Sequence, residues 1–178
     1  VPAQCTTSLA VAEAGTLWWL PGTLIPYRDA RYSAHRHVSL DEGSHFAALE
    51  VLTAGRTAMG ESDAYARLDL RLRIEVGGTP VLIERAVLDP NARPRPFRGG
   101  QEQFRCSGSL ILVGYELPPD VENCQDDVWL GADSGPRIAV VRGASRAAEP
   151  LRVALMSVLY RLQIEHDATV QENPAGTG

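Results

Sequence analysis

From Tyr65 to Val76 the chain alternates without a break, with Leu68, Leu70, Leu72, Ile74 and Val76 interleaved with Arg67, Asp69, Arg71, Arg73 and Glu75. A period of two is the mark of a strand whose side chains point to opposite faces, one buried and one wet. Gly77-Gly78 follows, a pair that tolerates the positive φ angles of a two-residue hairpin turn. Pro80 to Leu88 supplies the returning strand, with Val81, Ile83, Arg85 and Val87 on one face.

The rest of the chain extends this pattern. Ser8 to Leu20 shows short apolar alternation ended by the turn signal Pro21-Gly22, and Pro26 interrupts an extended stretch from Leu24 to Tyr27. Tyr32 to Leu40 and His45 to Thr53 are strands separated by Asp41-Glu42-Gly43, and they are expected to pair antiparallel; in the second, Phe46, Ala48 and Glu50 lie opposite Ala47, Leu49 and Val51. Asn91 to Gly100, rich in Pro, Arg and Gly, is a connecting loop before a strand pair within Phe104 to Leu117. Pro118 to Asp127 is polar and irregular, and Arg137 to Arg142 is a short strand ended by Gly143. A helix is expected over Ala147 to Leu162, where Leu151, Leu155, Val158, Leu159 and Leu162 recur at helical spacing behind Ser145 as N-cap. The expected fold is therefore mainly β, an extended stacked antiparallel architecture with a C-terminal α-helix, in one domain over residues 1–165 with a flexible tail over 166–178.

Bulk composition narrows the function. Seventeen basic against twenty-two acidic residues leave a net charge of -5, which opposes binding to a nucleic-acid polyanion. Cys5, Cys106 and Cys124 are odd in number and in no CxxC spacing, so they form neither a disulfide framework nor a zinc knuckle and favour a reducing cytoplasm. No apolar run reaches the roughly 18 residues that span a bilayer, so no membrane association is expected. Neither a Ser/His/Asp arrangement, a phosphate-binding loop nor a GxGxxG fingerprint occurs, in keeping with a protein that is not an enzyme.

Three ordered segments carry a resemblance. They are LWWLPGTLIPYRDARY from Leu17 to Tyr32, EVLTAGRTAMGE from Glu50 to Glu61, and LDLRLRIEVGGTPVLIERAVLDP from Leu68 to Pro90. Together they resemble the urease accessory protein UreD family, whose signature is a Glu, a short apolar run, Gly-Arg, three variable residues and Gly-Glu. The resemblance implies a stacked β architecture preceded by a further β-rich portion before Val1. It also implies a cytoplasmic scaffold that binds apo-urease and UreF, recruits the GTPase UreG through UreF, and helps insert nickel into urease. No permanent cofactor is implied, only transient Ni2+.

The matching signature positions are Glu50, Gly55, Arg56, Gly60 and Glu61. One reading makes Glu50 and Glu61 oxygen donors along a nickel path, with Arg56 gripping a carboxylate in bidentate geometry. The other makes Arg56 and Glu61 a structural pair that fixes a turn, the glycines admitting unusual backbone angles. A rival metal cluster consists of His35, His37, Glu42 and His45, since residues two apart on a strand face the same way. Its HxHx4E spacing resembles a cupin metal motif and suggests, as the alternative, a metal-dependent β-barrel enzyme. The cupin glycines are missing, and the remaining histidine, His166, lies in or just after the helix. Partner contacts are expected from the outward-facing member of Trp18 and Trp19 and from Arg71 and Arg73 on the wet face of the hairpin.

Overall fold

A computed structural model describes residues 2–91, 104–118, 120–121, 124–125 and 127–172, with backbone alone for 124–125 and 164–172. The strands are β1 (Ala3–Val11), β2 (Thr16–Trp19), β3 (Arg31–Leu40), β4 (His45–Thr53), β5 (Arg67–Val76), β6 (Thr79–Leu88), β7 (Cys106–Val113), β8 (Cys124–Gln125), β9 (Val128–Ser134) and β10 (Ile138–Ser145). One helix, α1 (Ala148–Glu172), follows them. They form a four-stranded sheet in the order β1-β3-β5-β6 and a six-stranded sheet in the order β2-β4-β7-β10-β9-β8.

The mainly β, stacked reading with a C-terminal helix holds, although both sheets are mixed: β1–β3, β3–β5 and β2–β4 are parallel. The β5–β6 hairpin forms as expected, and Gly77 and Gly78 take φ of 55° and 76° in its turn. Its returning strand, however, turns Ile83, Arg85 and Val87 to the exposed side, whereas Val81, beside a register shift at Ile74/Glu75, packs against the core with Leu82. Register places Leu82, Glu84, Ala86 and Leu88 beside the dry face of β5.

The expected antiparallel pairing of the second and third segments does not occur, because β3 and β4 belong to different sheets. Their burial explains this. Along β3 buried and exposed positions alternate, whereas β4 is buried on nearly every residue and needs cover on both faces. The turn at 41–44 therefore carries the chain from an outer layer to the central one. There Phe46 and Ala48 pack against the four-stranded sheet with Val38, Ile74, Ile111 and Val113. Ala47, Leu49 and Val51 pack on the other side with Leu151, Leu155 and Leu159 of α1. The protein is thus three layers: sheet, sheet, helix.

The same central position decides the two tryptophans. Neither points to open solvent: Trp18 packs with the helix-side core and Trp19 with the inter-sheet core. Trp18 also donates from Nε1 to the Tyr115 hydroxyl at 3.1 Å. Only one strand, β7, occupies the stretch expected to hold a pair, and β9 arises where no strand was expected. β10 continues through Gly143 to Ser145, whose Oγ accepts from the Ala147 N–H at 3.3 Å, and α1 runs on to Glu172. A Cβ on Gly143 would stand 2.5 Å from Leu151 Cδ1, so the missing side chain is what lets the helix close on the sheet. Most of the expected loop from Asn91 to Gly100 lies outside the described residues.

Candidate functional site

Four charged residues interrupt apolar faces. Arg36 shares its side of β3 with Ala34, Val38 and Leu40, and Glu50 shares its side of β4 with Phe46 and Ala48. Glu84 stands among Leu82, Ala86 and Leu88, and Arg142 follows Ile138 and Val140. All four enter the space between the sheets, where they pair across it. Arg36 Nη1 lies 2.9 Å from Glu50 Oε2, and Arg142 contacts Glu84.

Around them is a cleft of about 890 Å3. Its floor and roof include Tyr32, Leu70, Leu72, Ser107, Ser109 and Ile111, and Pro21 to Leu24 contribute at one flank, with Arg85 and Gly143 at another. Residues of two apolar clusters bound it, one around Phe46 and Ile74 and one around Tyr65, Leu68 and Leu88. The sheets thus enclose a polar gap within an otherwise dry interior.

Glu50 is the most unusual group in it. Its Oε1 is buried and has no hydrogen-bond partner among the described residues, while Oε2 holds Arg36. Burial pushes the Glu50 carboxyl above its ordinary value, against the pull of Arg36 and Arg142. Desolvation likewise lowers Arg142, opposed by the Glu50 charge. Arg36 is further steadied by Trp19, whose ring centroid lies 5.4 Å from its guanidinium carbon. A buried carboxylate oxygen left without a donor is one that a proton or a cation would satisfy.

The structure separates the signature residues. Glu50 is in the cleft, whereas Arg56 and Glu61 form their own bidentate pair at 2.8 Å for both bonds. That pair clips a short 3-10 turn, Thr57–Met59, and Arg56 also stacks on Tyr27 with 4.3 Å to the ring centroid. Hydrogen bonding from Arg56 holds the Glu61 carboxyl below its ordinary value. Gly55 has φ 130° and lies against the Glu61 carbonyl, where a Cβ would collide; Gly60 ends the turn at φ 72°. Arg56, Glu61 and both glycines therefore build a turn.

The rival histidine cluster is not assembled. His35 and His37 do share the outer face of the four-stranded sheet, His35 near Ser33 Oγ at 3.2 Å and His37 on Glu75 at 3.0 Å. Glu42 pairs with Arg137, and His45, on the other sheet, stacks edge-on against Tyr115. No group of three His, Cys, Asp or Glu side chains placed to hold a metal occurs among the described residues. Arg71 and Arg73 lie exposed on that same outer face, bound to Asp69 and Glu75.

Arg36, Glu84 and Arg142 were not singled out from sequence. The signal was present: each puts a charge on the apolar side of an alternating strand. It is readable only once the inward parity of each strand is known, and on β6 the Ile83 side looked equally apolar.

Comparison with known proteins bears on this geometry. A family model described as UreD urease accessory protein matches residues 1–174. A protein named urease accessory protein UreD from Rhodopseudomonas palustris strain HaA2 is 32% identical over 167 residues, covering 89% of this chain and 59% of the relative. Its namesake from strain BisB5 is 33% identical over 170 residues, covering 89% and 58%. A third, from Herpetosiphon aurantiacus, is 30% identical over 108 residues, covering 60% and 38%. The chain spans less than two thirds of the length of these relatives. No described helix is long and apolar enough to cross a membrane. The ordered sequence segments and the family match over residues 1–174 agree, and the chain belongs to the UreD urease accessory protein family.

Proposed function

We propose that this protein serves urease maturation in the cytoplasm as a scaffold that binds UreF and apo-urease, meets UreG through UreF, and carries out no reaction of its own. Family membership is the observation that carries this reading, since the relatives are named urease accessory proteins. Nickel is the cargo in this reading, held transiently and not as a resident cofactor. The cleft between the sheets offers it a polar way past Glu50 and Glu84, whose oxygens suit a hard or borderline cation that must be released again. Arg36 and Arg142 keep the carboxylates placed and limit how tightly a divalent ion binds, because each cation competes for the same oxygens.

The test is urease activation with cognate UreF, UreG and apo-urease, with pull-down of the complex alongside. Glu50→Gln is expected to leave the UreF complex intact and to lower activated urease by at least about tenfold, the loss of a charged ligand. Failure of the wild-type protein to bind UreF or apo-urease overturns the scaffold reading. Full activation by Glu50→Gln overturns the nickel path alone. The cupin-type alternative has no support in the geometry, since His35, His37, Glu42 and His45 are spread over two sheets and a turn.

A further inference from the structure

We infer that the outer face of the four-stranded sheet, over which no described element lies, is a docking surface for an acidic segment of a partner protein. On this face register aligns basic side chains: His35 of β3 stands beside Arg71 of β5, and Arg71 stands beside Arg85 of β6. The next inward-to-outward repeat sets His37 beside Arg73, and at the sheet's end Arg31 faces Arg67. Like charges directly opposite on neighbouring strands destabilise a sheet, so such rows stand at a cost in the free chain.

Only Asp69 and Glu75 answer them on the described strands. Asp69 binds both Arg71 at 3.0 Å and Arg85 at 2.9 Å, and Glu75 binds both Arg73 and His37. Two carboxylates are thus shared among three arginines and one histidine, on a face that also carries Arg31, Arg67 and His35. This concentration of positive charge sits on a chain whose net charge is -5 and whose basic residues are all arginine. Arginine, with its bidentate donors, is the basic residue enriched at protein interfaces.

Shape and polarity agree. The strands leave a shallow depression of about 310 Å3 bordered by Thr6, His35, Arg71, Arg73, Ile83 and Arg85. Ile83 is 66% exposed and Val87 39%, large apolar side chains beside the guanidinium groups, as in a protein interface with an apolar centre. The opposite surface of the molecule is already covered by α1, whereas no described element lies over this one. Nucleic acid fits less well: the overall charge repels it, and Asp69 and Glu75 sit within the face where phosphates would lie. Carboxylates of a partner would take over the forked donors that Asp69 and Glu75 leave undersupplied.

The test is fluorescence anisotropy of a labelled oligoglutamate peptide with the whole protein, repeated with a labelled single-stranded oligonucleotide. Oligoglutamate binding that weakens with salt is expected, together with a loss of at least about tenfold in affinity for Arg71→Gln/Arg73→Gln. Arg137→Gln/Arg152→Gln removes the same charge from elsewhere on the surface and is expected to change affinity by no more than about twofold. Far-ultraviolet circular dichroism and the urea midpoint verify that both variants fold. No binding by the wild-type protein, equal losses in the two variants, or tighter binding of the oligonucleotide than of the peptide overturns the inference. None of these outcomes depends on the urease-maturation reading.

Discussion

Glu50 and Gly55 lie five residues apart in one signature and obey different physics. Gly55 is required by backbone: at φ 130° and against the Glu61 carbonyl, any Cβ is excluded. Gly55→Ala is expected to destabilise by at least about 2 kcal/mol in urea unfolding, with Gly22→Ala, in open space at an ordinary φ, as the near-neutral comparison. Glu50 is required by charge. Its folded carboxyl titrates above the unfolded one, so its protonated form favours the fold below the unfolded value and that stability is lost as pH rises through the folded value. The stability of the wild-type protein relative to Glu50→Gln is therefore expected to fall as pH rises above about 4, the ordinary carboxyl value, read as the difference of two denaturation series. Tyr65 gives a second titration: burial, followed by the charges of Asp63 and Asp89, pushes its hydroxyl up to about 12. The phenolate absorbance of wild type minus Tyr65→Phe is expected to rise with a midpoint near that value.

At the scale of elements, the strands and helix were legible wherever periodicity was strong. The β5–β6 hairpin followed from alternation and two glycines, and α1 from leucines three and four apart. Leu151, Leu155 and Leu159 are each fully buried against the six-stranded sheet. Leu155→Ala is expected to cost about 2–5 kcal/mol in thermal or urea unfolding, the range for a leucine whose site cannot collapse. Gly143→Ala, by crowding Leu151 and Leu130, is expected to cost about 1–3 kcal/mol through overpacking. β9 was missed because Gly131 and a short mixed run, VWLGADS, carry no clean period. The inward side of β6 was not legible, because the valine and isoleucine on its outer side are as apolar as the leucines and alanine on its inner side.

Across the whole molecule, the two sheets are tied by charge as well as by apolar contact. Arg36 and Glu50 come from different sheets, as do Glu84 and Arg142, so each pair spans the interface. Arg36→Ala leaves the Glu50 carboxylate largely buried without its partner and is expected to cost about 3 kcal/mol. Arg36→Ala/Glu50→Leu is expected to recover at least about half of that loss, because the desolvated charge is gone. Urea midpoints of the single and double variants check both. The sequence by itself determined the β-rich class, the hairpin, the helix face, the family and the two-sided polarity of β5, since each is written in local order and spacing. Only the tertiary structure decided that β3 and β4 part into different sheets, that both tryptophans are covered, and that Glu50 leaves Glu61 to meet Arg36, Glu84 and Arg142. Those are non-local outcomes: a strand's pattern states which residues prefer burial, but the layer that buries them is chosen by how sheets and helix share the whole apolar surface.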